Sequence, residues 1–136
     1  MLTCFLALDT QVELAQGGTM PLVDFAAKKQ DNDILTHIIV KKTPLQVVYT
    51  SFRNTETDLP VLTMAVARTA EGWRCAVGAR PARAELVSVA TEEELRGAVL
   101  ALGYGTNTRA SGEYRSHLAG VLLGRCLENL KGGDHA

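Results

Sequence analysis

The chain has 136 residues, 46% of them apolar and 21% charged, with a formal net charge of -1. That balance suits one domain, or one domain plus a fragment of another, and it excludes bulk electrostatic attraction to nucleic acid or to an anionic membrane. No apolar run reaches membrane-spanning length, "MLTCFLALDT" lacks the basic start of a signal peptide, and Cys4, Cys75 and Cys126 have no zinc-binding spacing, so a soluble cytoplasmic protein with reduced thiols is expected.

The first segment reads as a β-hairpin: "TQVELA" alternates, "QGG" turns, and "TMPLVDF" runs back. "AAKKQDND" is polar and reads as a loop or a short helical turn. Strands are expected at Ile34–Lys42, which Pro44 closes, and at Leu45–Phe52, Val61–Thr69 and Trp73–Ala79. The last two form a hairpin tipped by Ala70, Glu71 and Gly72, too short a link for a parallel crossover. "RPARAELVSVA" is read as leading away from the sheet.

The period then changes. Thr91 and Glu94 form a capping box for a helix over Glu92–Leu102, which Gly103 stops. Ser111 caps a second helix over Gly112–Leu130. Its apolar stripe, Leu118, Val121, Leu122 and Cys126, is widened by Leu123, Leu127 and Leu130, so contact on more than one side is expected. Residues after Leu130 read as a frayed tail. Strands first and helices last predict an α+β fold, an antiparallel sheet of three or four strands with helices packed on one face.

The residues supply no catalytic constellation. His37, His117 and His135 have no Asp or Cys at a useful spacing and read as surface or packing residues. The three carboxylates of "TEEEL" point in different directions on a helix and suit its dipole rather than a metal. "AQGGT" lacks the strand-to-helix context of a phosphate cradle, and "GYGTNT" is set back from the helix that follows it. Arg74, Arg80 and Arg83 read as solvated arginines or partner contacts.

"YGTNTRASGEYRSHLAGVLLGRCL" resembles the closing segment of the FAD-binding subunit of molybdenum hydroxylases, the family of xanthine dehydrogenase and aerobic carbon monoxide dehydrogenase. That segment runs from a loop through small–Ser–small and acidic–Tyr–Arg clusters into a Leu/Val-rich helix with a late arginine. Ala110, Ser111, Gly112, Glu113, Tyr114, Arg115 and Arg125 hold these places here. "DLPVLTMAVA" with Asp58, "GWRCAVGARPARA", "DILTHIIVKKTP" and "FLALDTQVELAQGGTMPLVDF" resemble further segments of the same subunit in the same order.

The resemblance implies that residues 1–25 are the remnant of the end of an FAD-binding domain and residues 26–136 its C-terminal α+β domain. It implies an accessory role beside the flavin of a xanthine dehydrogenase-like enzyme, with no chemistry of its own. FAD is implied in the full assembly and none on this chain alone. Partners would be the iron–sulfur and molybdopterin subunits or the missing FAD domain. Thr50 stands at a flavin-facing position where many relatives carry lysine, and "RNTET" replaces a basic run. Tyr104, Asn107, Arg109, Ser111, Glu113, Tyr114 and Arg115 are implied to hold the fold or an interface. The pyrophosphate-binding loops of the family lie outside the matched portion, which leaves the alternative of a freestanding α+β interaction module that does not bind flavin. If the chain is one domain of a larger assembly, exposed apolar surface is expected at Leu2, Phe5 and Leu6 and at Leu123, Leu127 and Leu130, enough to drive a two-fold dimer, whereas a monomer with those leucines buried favours the freestanding module.

Overall fold

The computed structural model describes residues 1–29 and 31–132. The expected tail, with His135, lies largely outside them. The element order is α1 (Leu2–Ala7), β1 (Gln11–Leu14), β2 (Gly18–Pro21), α2 (Leu22–Ala27), β3 (Leu35–Ile39), β4 (Gln46–Phe52), β5 (Leu62–Thr69), β6 (Gly72–Gly78), β7 (Glu85–Val89), α3 (Glu92–Ala101) and α4 (Gly112–Gly132).

The architecture is α+β, with two antiparallel sheets ordered β2-β1-β3 and β4-β5-β6-β7. The β5–β6 hairpin turns at the expected tip, where Gly72 has φ 137°; a Cβ there would sit 2.4 Å from the Val89 carbonyl, so only glycine fits. α3 starts with the expected capping box: the Glu94 N–H donates to Thr91 Oγ1 (3.2 Å) and the Thr91 N–H to Glu94 Oε2 (3.1 Å). α4 is capped by Ser111, whose Oγ accepts from the Tyr114 N–H at 3.1 Å.

α3 and α4 cover one face of the large sheet. Leu62, Met64 and Val66 of β5 meet Leu95, Leu122 and Leu127 there in a continuous buried core. The opposite face is not bare. It carries Ala65, Ala67 and Ala76, whose small side chains let α1 lie close, and Leu6, Ala7, Val12 and Leu22 complete a second core. Thr3 joins the two layers through a 2.9 Å hydroxyl contact with Thr63.

Four expectations change. Leu2, Phe5 and Leu6, expected to be exposed beside the hairpin, lie on α1, where Leu2 is exposed as expected and Phe5 is half-buried. Leu6 is buried, because it packs on the small-residue face of the sheet. The segment Ile34–Lys42 does not join the large sheet. Its strand is shorter and pairs with β1, tied there by Asp33, whose carboxylate accepts from the Gln16 and Gly17 N–H groups (3.0 and 2.8 Å), and by Thr36 Oγ1 donating to the Glu13 carbonyl (3.0 Å). "ELVSV" does not leave the sheet; it returns as β7 along β6, with Val87 and Val89 against one core and Leu86 against the other. Finally, Leu123, Leu127 and Leu130 are buried within the domain, since β4 and β5 lie against α4 on one side and α3 along another.

Candidate functional site

The loop between α3 and α4 gathers most of the expected site residues, and Arg115 organises it. This residue sits in the first turns of α4, and its side chain is fully buried. Its Nε donates to the Val61 carbonyl (3.0 Å), Nη1 to the Gly105 and Ala110 carbonyls (2.6 and 2.7 Å), and Nη2 to Asn107 Oδ1 (2.6 Å). A planar guanidinium with five fixed donors suits this task, since it can bond several loop carbonyls at once. Burial, and then the Arg109 charge, pull its pKa below the usual value.

Asn107 is the loop's second pivot. Its backbone N–H bonds the Ala110 carbonyl (3.0 Å), and its Oδ1 also accepts from the Arg109 N–H (3.0 Å). Arg109 reaches outward to the β4–β5 loop. Its guanidinium grips the Asp58 carboxylate through Nε (3.1 and 3.2 Å) and Nη2 (3.0 Å), while Asn54 Nδ2 donates to the Arg109 carbonyl (3.1 Å). The Arg109 hydrogen bonds, and then the Leu59 N–H, hold the Asp58 carboxyl below the usual carboxylate range. Tyr104 closes the near end: its hydroxyl donates to the Val99 carbonyl (2.8 Å), and burial pushes its pKa up to about 12.

Two expected members stand outside this network. Glu113 is exposed in the first turn of α4, where its charge suits the helix dipole. Tyr114 is 42% exposed, and its ring meets Phe52 edge-on at 6.4 Å rather than entering the core. In the "EYR" cluster it is therefore the arginine that is buried and the tyrosine that faces out. Thr50 is half-buried on β4 opposite Met64, on the face toward which α4 packs, and it takes no part in the loop.

Sequence reasoning missed three contributors. Thr106 Oγ1 accepts from the Gly112 N–H (2.9 Å), supplementing the Ser111 cap. Gly112 itself is required, because a Cβ would lie 2.3 Å from the Tyr104 carbonyl oxygen. Arg80, expected to be solvated or a partner contact, is buried and donates to the Gly103 carbonyl, to the Arg83 carbonyl and to Glu85, fastening the β6–β7 turn under the loop. A lone arginine after a strand gives no local sign of such a role.

These groups immobilise backbone; they do not form a nucleophile–base pair. Among the described residues no three His, Cys, Asp or Glu side chains stand close enough to hold a metal. A groove of about 360 Å³ beside β5 contains Asp9, Lys41, Glu71 and Arg74, but Asp9 already lies 3.4 Å from Lys41 and 3.9 Å from Arg74.

A flavin dinucleotide needs backbone N–H groups for its pyrophosphate. At the Gly-Gly turn, Gln16 and Gly17 give theirs to Asp33. At the start of α4, Gly112 and Tyr114 give theirs to Thr106 and Ser111, and the start of α3 is closed by its capping box. The donors named in those three places are engaged, so none of the three is a ready cradle for the pyrophosphate of FAD.

No family model matches the sequence, and neither does any curated protein sequence. Solved structures do share the fold. A carbon monoxide dehydrogenase from Oligotropha carboxidovorans matches over 97% of this chain and 56% of its own, with a TM-score of 0.79 and 18% identity. Quinoline 2-oxidoreductase from Pseudomonas putida 86 matches over 97% of this chain and 56% of its own, at 0.74 and 17% identity. A carbon monoxide dehydrogenase from Hydrogenophaga pseudoflava matches over 93% and 54%, at 0.73 and 16% identity. The chain thus spans about half the length of the solved chains it matches.

Proposed function

We propose that the chain acts as the C-terminal accessory domain of the FAD subunit of a xanthine dehydrogenase-like molybdenum hydroxylase, working in the cytoplasm. It would flank the flavin and contact the iron–sulfur and molybdopterin subunits without chemistry of its own. In this reading residues 1–25 close an FAD-binding domain and residues 26–136 form the α+β domain that follows. β3 crosses that division to pair with β1, which stitches the two parts together. The observation that carries the reading is the likeness of nearly the whole chain, in one piece, to parts of a quinoline oxidoreductase and of carbon monoxide dehydrogenases that share its fold.

The flavin would be held by other segments, since the Gln16, Gly17, Gly112 and Tyr114 N–H groups of this chain's glycine turn and α4 start are engaged. The loop held by Arg115 and Arg109 would then be a rigid wall for a neighbouring subunit, and Tyr114, exposed beside it, an aromatic contact. A second reading, a freestanding α+β module, is favoured by the same engaged donors and by cores on both faces of the large sheet.

Co-expression decides between them. The tagged chain is produced with iron–sulfur and molybdopterin subunits of a carbon monoxide dehydrogenase-type enzyme and an FAD-domain segment lacking its own C-terminal domain. Capture of these polypeptides with flavin is expected, while the purified chain alone is colourless and does not quench FAD fluorescence at micromolar concentration. Failure to capture any of them leaves the module reading. Stoichiometric quenching by the chain alone overturns both.

A further inference from the structure

The apolar surface expected on α4 is buried, yet a different one is open. β3 is bonded on one side only, to β1, and forms an edge of its sheet. All five of its residues are exposed. Ile34 is 67% and Ile38 50% exposed, and Leu35, Ile39 and Val40 are open as well. A bare strand edge with apolar side chains invites another strand. The other edge of the same sheet is protected: β2 is four residues long and carries Pro21, which cannot donate to a ladder.

We propose that β3 pairs with β3 of a second copy, antiparallel, with the two-fold axis at His37. The segment "DILTHIIVK", from Asp33 to Lys41, mirrors itself in chemistry about that histidine at every position except the innermost, where Thr36 meets the partner's Ile38. With His37 opposite the partner's His37, Leu35 falls opposite the partner's Ile39 and Ile34 opposite the partner's Val40. Asp33 falls opposite the partner's Lys41. Each pair occurs twice, as an isologous interface requires. Two apolar cross-strand pairs and one charge pair are satisfied together. Sliding by one step sets Asp33 against Val40 or Ile34 against Lys41, so the register is specified by charge as well as by shape.

Among the described residues the contacts at this edge are compatible with the pairing. The Asp33 carboxylate accepts from the Gln16, Gly17 and Ile34 N–H groups and has acceptor capacity left for the partner's lysine. His37 meets Glu13 at 2.9 Å on the exposed surface, and Lys41 lies 3.4 Å from the exposed Asp9, a contact its flexible stem can exchange or share. The product is a continuous sheet of six strands, three from each copy, whose outer edges are the two protected β2 strands. Pairing therefore stops at two copies rather than growing into a fibre. The charge palindrome is what singles out a second copy as occupant; another segment would have no reason to match it. The inference does not rest on the flavoprotein reading.

Sedimentation equilibrium of the full chain should show a dimer in the micromolar range. Ile39→Lys should weaken it about tenfold or more, because the apolar pair is lost at both symmetric positions. His37→Cys tests the register itself. Under mild oxidation by a glutathione disulfide buffer it should form a covalent dimer far faster than a Glu93→Cys control, which places a thiol on exposed α3 with the same native cysteines behind it. A chain that stays monomeric, or a dimer that does not cross-link at position 37, overturns the proposal. So does a monomer in which the His37→Cys thiol couples instead to an added FAD-domain segment, which would give the edge to that partner.

Discussion

Arg115 shows how one residue type can be placed in the core without a carboxylate beside it. Three backbone carbonyls and an amide oxygen share its charge, and they come from β5's approach, the α3–α4 loop and the loop's own end. Arg115→Met should remove a donor from all four; the Ala110 carbonyl and Asn107 Oδ1 keep the Asn107 and Arg109 N–H groups, so the loss falls on the Val61 and Gly105 carbonyls and, at about 1–3 kcal/mol for each buried polar group left without a partner, should reach about 3 kcal/mol. Arg115→Lys should recover only part of it, because an ammonium cannot span the fork. Urea titration of both variants checks this, and near-native stability in Arg115→Met would show the loop to be held by other contacts. Asp58 carries a different prediction. Its pKa in the folded chain is depressed, so its contribution is present above the unfolded value and fades as pH falls through the folded one. The chain should therefore lose stability below about pH 4, and Asp58→Asn should flatten that part of the profile. The urea midpoint followed from neutral pH into acid, in both proteins, is the measurement; parallel curves would assign the acid loss to other carboxylates.

At the scale of elements, α4 and β3 exchange the roles that their sequences suggest. The wide leucine stripe of α4 is internal, with Leu127 only 1% exposed, because the sheet and α3 contact it from different sides. Leu127→Ala should therefore destabilise the domain by about 2–5 kcal/mol, the range for a large-to-small change in a packed core. Val121, on the open side of the same helix, should accept Ser within about 0.5 kcal/mol. Thermal melts of the two variants give the contrast, and equal melting temperatures would return the stripe to the surface. β3 is the reverse case, a strongly β-branched run that ends as an exposed edge strand. Its composition reports strand propensity, and propensity is silent about which neighbour will cover the side chains.

For the whole molecule, the N-terminal segment is structural. α1 and Leu22 of α2 close the second face of the large sheet, and β1 supplies the only strand that pairs with β3 among the described residues. A chain beginning at residue 26 should uncover Ala65, Ala67 and Ala76 and leave β3 without a partner. It should lose its cooperative melt or aggregate on expression, since the exposed face would no longer exclude water. Circular dichroism of the shortened chain decides; a sharp transition near that of the full chain would make residues 1–25 a dispensable appendage.

The capping box at Thr91 and Glu94, the Ser111 cap, the Gly72 hairpin tip and the change of period from strands to helices were all legible in the sequence. Each depends on residues a few positions apart, and the local backbone satisfies them wherever the segment ends up. The sequence also marked the 104–115 segment as a unit, because its glycines, caps and charges are adjacent. It could not say that Arg115 would be the buried member of its cluster and Tyr114 the exposed one, nor that Arg80 would leave solvent. Those outcomes depend on acceptors far along the chain: Val61 lies 54 positions from Arg115, and Gly103 lies 23 from Arg80. The sheet that β3 joins, the return of β7, and the burial of Leu127 were likewise decided in three dimensions. Hydrophobic burial is non-directional, so a leucine or a strand records only its need to be covered, and the tertiary structure chooses what covers it.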